Sequence, residues 1–190
     1  MQECSHASHC FDACCDVSVP VSDSRSCTVE SCLATFIEEE ALDVVYKCEH
    51  CKRETSKRKS IRLYTPPHTL VLHLKRFSSR GSSSSFVFGR SSLFSRMQKN
   101  GAAVGVPARL DIAPFCNPAG LRAAGVSGVY ELVAVSEHSG SMGGGHYTAI
   151  GRAVSDGAWY CFNDSSVSRT SCPEGPTTSA YVLFYRMVPA

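Results

Sequence analysis

The sequence has no run of about 18 apolar residues, so no membrane-spanning helix is expected. Its first residues, Met1-Gln2-Glu3-Cys4-Ser5-His6, hold neither a basic stretch nor an apolar one, and no signal peptide is expected from them. An excess of either charge is missing too. Nineteen basic and 17 acidic side chains leave a formal net charge of +2, too balanced to drive phosphate binding. Internal repeats are absent. Aromatic residues are not interleaved with the basic run Lys52-Arg53-Glu54-Thr55-Ser56-Lys57-Arg58-Lys59, so it lacks the stacking platform of a nucleic-acid binder. A charged, exposed hairpin is the expected reading of that run.

What the chain does have is length and apolar content for a packed core: 190 residues, 43% hydrophobic and 9% aromatic. It also has eleven cysteines. An odd count without an export signal argues against a disulfide framework and for reduced thiols that bind metal or fill the core. An intracellular location, cytoplasmic or nuclear, follows as an expectation. Asn163-Asp164-Ser165 matches a glycosylation sequon, which carries no meaning without export.

Four textures divide the chain. Residues 1–60 hold eight of the eleven cysteines and most of the charge. Val29, Cys32, Leu33 and Phe36 recur there with the spacing of a short amphipathic helix, and Leu42 and Tyr46 are expected to continue its packing after a turn. Residues 61–77 read as strand, in which Leu70, Leu72 and Leu74 share one face and Val71, His73, Lys75 and Phe77 the other. His73 reads as a satisfied core histidine. Residues 78–128 read as a flexible insertion and connection, because nine of the nineteen residues from Ser78 to Arg96 are serine. A phosphorylated loop is the alternative there.

Residues 129–188 return to strand-like alternation, with strands expected at 129–136, 146–153, 158–162 and 180–188. Between the second and third lies Val154-Ser155-Asp156-Gly157, and Asp-Gly is a strong hairpin signal. A turn centred between Ser155 and Asp156 places His146 opposite residue 165, give or take two. Asn163 and Asp164 then fall beside His146, within hydrogen-bonding reach of an imidazole. That pair is two thirds of a nucleophilic triad: a base and the group that orients it. The expected arrangement has the orienter take the Nδ1 proton and leave Nε2 free for a thiol or hydroxyl. Gly143-Gly144-Gly145 before the histidine suggests a movable loop open to a substrate backbone, with Tyr147 and Trp159 walling the cleft. A turn-flanking histidine beside solvated Asn and Asp is the other reading.

Cys48-Glu49-His50-Cys51 is a C-x-x-C knuckle. A structural zinc takes four tetrahedral ligands, normally from two such knuckles. Cys4 lies 44 residues upstream, with Cys10, His6, His9, Cys14 and Cys15 as further candidates. The residue three before Cys4 is Met1, so no second knuckle is complete. Zinc binding, a ligand-poor relic and a redox C-x-x-C stay open, the last disfavoured because Lys52-Arg53-Glu54 reads as a solvated loop.

Taken together, these segments resemble the ubiquitin-specific proteases. Cys4-Ser-His-Ala-Ser, Phe11-Asp12 and Asp16-Val17-Ser18-Val19-Pro20-Val21 look like the opening of that family's fingers. The helix 26–36 with Glu40, Leu42, Tyr46, Cys48 and Cys51 is similar to its next block. Leu70-Val-Leu-His-Leu-Lys-Arg-Phe77 resembles its signature strand. The C-terminal box is matched by Tyr130–Val135, His138-Ser139-Gly140, Gly145-His146-Tyr147-Thr148-Ala149, Trp159–Asp164, Val167 and Ala180–Tyr185. The resemblance implies an α+β, papain-like fold, mainly antiparallel, limited to fingers (1–60) and palm (129–188). It implies thiol-dependent cleavage after the C-terminal glycine of ubiquitin. His146 would be the general base, Asn163 its partner and Asp164 a second polar group. Gly143, Gly144 and Gly145, with Tyr147, would border the channel for ubiquitin's tail. Cys4, Cys48 and Cys51 would be surviving zinc ligands. Ubiquitin and ubiquitinated proteins would be the partners; no nucleic acid or membrane is implied.

Two departures from the family pattern stand out. No Gly/Asn-rich block delivers a cysteine to a helix N-terminus, so neither nucleophile nor oxyanion donors are visible. The first knuckle cysteine coincides with Met1. The sequence therefore reads as the C-terminal half of a catalytic domain, inactive alone. A ubiquitin-binding pseudoenzyme and a zinc-stabilised remnant without a ubiquitin role are the alternatives.

Overall fold

A computed structural model of the chain describes residues 4, 6–24, 27–79, 97–141 and 143–189. In chain order the first elements are β1 (Val17–Pro20), α1 (Val29–Ile37), β2 (Glu40–Lys47), β3 (Glu54–Lys59), β4 (Thr69–Lys75) and β5 (Phe77–Ser79). Then follow β6 (Met97–Lys99), β7 (Val104–Val106), β8 (Arg109–Asp111), a 3-10 turn (Ala113–Phe115) and α2 (Pro118–Ala124). The last are β9 (Val129–Ser141), β10 (Gly144–Arg152), β11 (Trp159–Asn163), β12 (Ser166–Thr170), β13 (Gly175–Thr177) and β14 (Ala180–Met187).

One sheet dominates, in the order β1-β4-β14-β9-β10-β11-β12, with β8 also paired to β9. Every pairing in it is antiparallel except β1 with β4. The architecture is therefore the expected α+β class, built on a mainly antiparallel sheet. Leu70, Leu72 and Leu74 alternate on β4 and are almost wholly buried. Each contributes roughly 1.5–3 kcal/mol on leaving water. Val17, Val19, Leu132, Val135, Leu183 and Tyr185 join them beneath α1.

Helix α1 starts where a capping box predicts. Thr28 is the N-cap, its hydroxyl accepts from the Ser31 N–H, and the Ser31 hydroxyl accepts from the Thr28 N–H. Val29, Cys32 and Leu33 form its buried stripe. Helix α2 follows Asn117, whose side chain takes the Ala119 and Gly120 N–H groups, and stops at Gly125 in the left-handed region (φ 65°).

Arg76 ends β4 and is fully buried. Its guanidinium donates to four backbone carbonyls, those of Asn100, Ala102, Thr177 and Ala180, at 2.6–3.1 Å. It thereby ties the main sheet to the chain before β7 and to β13. Burial lowers its pKa.

Several expectations change here. Leu42 and Tyr46 do not extend the helix packing: they lie on β2, which pairs only with β3, and Tyr46 is 44% exposed. The finger segment expected over 1–60 is interrupted, since β1 and α1 belong to the main body. The strand expected over 61–77 is confined to β4 and β5; Leu63 makes only an isolated bridge to Cys116. Residues 97–128, expected as connection, supply Val104, Val106, Leu110, Ile112 and Phe115 to the core. The rest of the serine-rich insertion, residues 80–96, lies outside the described residues. His73 is half-buried and satisfied: its Nδ1 is 3.0 Å from the Ser18 hydroxyl.

Candidate functional site

The β10–β11 hairpin has the register its Asp-Gly turn predicts. Ala149 faces Phe162, Ile150 faces Cys161, and Arg152 faces Trp159. Gly157 takes a positive φ of 68° at the turn, and the Asp156 carboxylate caps the Ala158 N–H. Extending that register brings the next residues of both strands together at the open end. There His146 Nε2 lies 2.6 Å from Asn163 Oδ1. The second turn, from β11 into β12, is tight, since Asn163 pairs with Ser166. Asp164 occupies its left-handed position (φ 50°), which Asp tolerates better than most residues. Its carboxylate Oδ2 is 3.9 Å from His146 Nε2, and its side chain is 81% exposed. Asn163 is thus the direct partner and Asp164 the outer charge.

The nitrogen assignment is the reverse of the expected one. Asn163 Oδ1 can only accept, so it pairs with the tautomer that carries its proton on Nε2, which leaves the Nδ1 lone pair free. A thiol would be deprotonated by Nδ1. Spacing fixed which residues meet, but not which edge of the ring each meets.

The glycine run is also different from a mobile loop. Gly144 and Gly145 are part of β10, paired with Ser141 and Gly140 of β9. A Cβ on Gly143 or Gly144 would meet nothing within 4 Å, whereas one on Gly145 would fall 2.1 Å from His138 Nε2 and 2.8 Å from the Ser139 carbonyl. The missing side chain at 145 makes room for the protein's own His138. Tyr147 is 54% exposed, and its ring lies 4.7 Å from that of His138. Trp159 does not wall this site. It stands four residues from Asn163 along β11, about 13 Å away, and packs toward the core.

His138 is the residue that sequence reasoning left without a role. It is buried, its ring is surrounded by Phe77, Tyr147 and Tyr181, and its carbonyl accepts from the Lys99 ammonium. Its Nδ1 has no partner among the described residues. Burial, and then Lys99, lower its pKa. Strict alternation from Tyr130 and Leu132 would bury 134, 136 and 138 on one face. The pairing with β14 slips twice, and the buried positions run 130, 132, 135, 138.

At the far end of the chain fold, Cys4, Cys48 and Cys51 converge, with all three sulfurs within 4.8 Å of one another. The knuckle is shaped by Lys52 at φ 58° and by the Lys52 N–H bonded to the Cys48 carbonyl at 2.8 Å. Backbone N–H groups of His6 and Arg53 point at the sulfurs of Cys4 and Cys51. The Arg53 contact is the chief reason that the Cys51 thiol is brought down to about 7. His6 and His50 stack with ring centres 4.8 Å apart, but neither joins the three sulfurs. Cys10, Cys14 and Cys15 are exposed and lie outside the cluster. The charged run beyond Cys51 forms β3 of an exposed hairpin, as expected.

Residues 7–185 match the family model described as "UCH: Ubiquitin carboxyl-terminal hydrolase". The chain belongs to the ubiquitin carboxyl-terminal hydrolase family. It is 37% identical over 190 residues to ubiquitin carboxyl-terminal hydrolase 2 of Bos taurus, covering 97% of this chain and 28% of that protein. With ubiquitin carboxyl-terminal hydrolase 31 of Homo sapiens it shares 34% identity over 172 residues, 85% of this chain and 13% of the relative. Among solved structures, the SAGA Ubp8/Sgf11/Sus1/Sgf73 DUB module bound to ubiquitin aldehyde superposes with a TM-score of 0.71 at 26% identity. That match covers 92% of this chain and 36% of the solved one. The chain thus spans well under half of the length of these proteins.

Proposed function

We propose that this chain supplies the base half of a cysteine-type deubiquitinase site. The observation that carries the reading is the 2.6 Å contact between His146 Nε2 and Asn163 Oδ1, which leaves Nδ1 as the basic nitrogen. In the reaction Nδ1 takes the proton of an attacking thiol and later delivers it to the leaving amine. Asn163 holds the ring in one tautomer and one orientation. The Asp164 carboxylate, 3.9 Å from Nε2, is a second polar group at the ring. Among the described residues no cysteine sulfur bonds to His146, so the thiol and the oxyanion donors come from outside them. Without a nucleophile, rate losses on the order of 10⁶ are met in dismantled triads, and the chain alone is inactive.

The substrate is ubiquitin, cleaved after its C-terminal glycine. Support comes from the family and from a structural neighbour described as bound to ubiquitin aldehyde. Gly143, Gly144 and Tyr147, exposed beside His146, are placed to border the tail of that substrate. Cys4, Cys48 and Cys51 fit a structural metal, because three thiols converge and the Arg53 N–H favours the thiolate form of Cys51. Zinc bound there would cross-link the segment at residue 4 to the knuckle at 48–51.

The test has two arms. The chain is mixed with ubiquitin carrying a C-terminal fluorogenic amide, and separately titrated with ubiquitin while its backbone amides are followed by NMR. No fluorophore release is expected, with saturable shifts at residues 143–147. Shifts absent at millimolar ubiquitin would remove the substrate assignment. Rapid turnover by this chain would show that the thiol lies within it.

A further inference from the structure

The N-terminus of α1 places two cysteines where helices usually place an apolar pair. With Thr28 as N-cap, Cys27 is the residue before the cap and Cys32 the fourth residue of the helix. These are the two positions of a hydrophobic staple, which the capping geometry brings into contact. Here the contact is sulfur to sulfur: Cys27 Sγ and Cys32 Sγ are 3.5 Å apart. Both residues are buried, at 4% and 2% exposure, and both are free thiols. A disulfide bond is about 2.05 Å long, so closing this one needs about 1.5 Å of movement. Small side-chain rotations at the helix end can supply that.

We propose that Cys27 and Cys32 are a disulfide-forming modification site, oxidised by hydroperoxides and reopened by thiol reductants. The surroundings favour the reaction. A cavity of about 280 Å³ is lined by both cysteines and by the hydroxyl-bearing residues Ser22, Ser24, Ser31 and Thr35, with Pro20 and Val21. A hydroperoxide fits there and finds polar partners. The Ser31 hydroxyl already points at Cys27 Sγ. The buried guanidinium of Arg76 spends its hydrogen bonds on neutral carbonyls and attracts negative charge at either sulfur. The helix N-terminus adds a further partial positive charge.

Burial, and then Cys27, push the Cys32 thiol up to about 12; the attacking role goes to Cys27, the sulfur that the Ser31 hydroxyl reaches. In the first step Cys27 Sγ bonds to one peroxide oxygen and the O–O bond breaks. The leaving oxygen takes the thiol proton, giving an alcohol, or water from hydrogen peroxide. In the second step Cys32 Sγ bonds to Cys27 Sγ, the S–O bond breaks, and the hydroxyl leaves as water with the Cys32 proton. Two thiols are oxidised and one peroxide is reduced. The Cys27 carbonyl accepts from Gly105 at 2.9 Å, and Thr28 bridges to Gly105. The cross-link therefore locks the start of α1 beside β7.

The full chain, reduced and folded, is exposed to hydrogen peroxide, blocked with N-ethylmaleimide and digested with trypsin without reductant. The peptide from residue 26 to residue 47 contains both cysteines. It should appear two hydrogens lighter and take up maleimide only after reduction, while the buried but isolated Cys116 keeps its thiol. In Cys32→Ala the intermediate cannot close, and dimedone should label Cys27. Recovery of both cysteines as thiols, their oxidation to sulfinic acids, or their pairing with other cysteines would overturn the proposal. An unlabelled Cys27 in Cys32→Ala would overturn it as well.

Discussion

Replacing Gly145 by alanine probes the seat of the candidate base. The added Cβ would stand 2.1 Å from His138 Nε2, where ordinary contact begins near 3.4 Å, so about 1.3 Å must be found. The His138 ring cannot simply retreat, because Phe77, Tyr147 and Tyr181 surround it. The backbone of β10 must move instead, and His146 is the next residue. Overpacking of this kind costs about 1–3 kcal/mol. For a chain of this size each kcal/mol lowers Tm by about 2–4 °C. In a complete active site, a displacement of about 1 Å at the base costs roughly 10²-fold in rate. The assay compares thermal unfolding of Gly145→Ala with Gly143→Ala and Gly144→Ala, whose new methyl groups meet nothing within 4 Å. Gly145→Ala should lose several degrees, and the other two should stay within about 1 kcal/mol of the parent. Adding His138→Ala should recover part of the loss in Gly145→Ala. Equal behaviour of all three glycines would refute the reasoning.

Arg76→Met should be among the most damaging single changes in the described residues. It orphans four backbone carbonyls, one buried and three partly buried, each costing about 1 kcal/mol, so a loss of roughly 4 kcal/mol is expected by denaturant titration. In the metal-free chain Cys51 should add stability as pH rises from about 7 toward 9, against the raised thiols of Cys4, Cys32 and Cys116, which pull the other way. The Cys51 thiol is depressed to about 7 in the folded state, so its contribution is full above the unfolded value and lost as pH falls through the folded one. Cys51→Ser should remove that contribution from pH-dependent unfolding. Zinc should raise Tm in a concentration-dependent way, by about 2.7 kcal/mol of stability at a hundredfold excess over Kd, and a chelator should reverse it. Cys48→Ala should remove the zinc response.

Much of the site was legible because its determinants are local. The Asp156-Gly157 turn fixes the hairpin register, and the register alone brings His146 to Asn163. The triplet Leu70, Leu72 and Leu74 marks its strand by alternation, and Val29, Cys32, Leu33 and Phe36 mark α1 by their spacing. What stayed hidden depends on distant partners. β1 joins β4 in parallel across some fifty residues, and nothing in Val17–Pro20 names that partner. β7 and β13 are three residues each, too short to show a period. β12 is exposed along its whole length, so no buried face marks it. Val135 is hidden by the slips in the β9–β14 pairing, which move the buried face off strict alternation. The roles of the two His146 nitrogens depend on ring rotation, which spacing does not constrain.

The most direct measurement is the tautomer of His146, read from its imidazole nitrogen shifts by NMR above its titration range, in the chain and in Asn163→Ala. A proton held on Nε2 and a bare Nδ1, giving way to a mixture of tautomers in the variant, is the predicted result. A proton on Nδ1, or a ring that is indifferent to the loss of Asn163, would contradict the account.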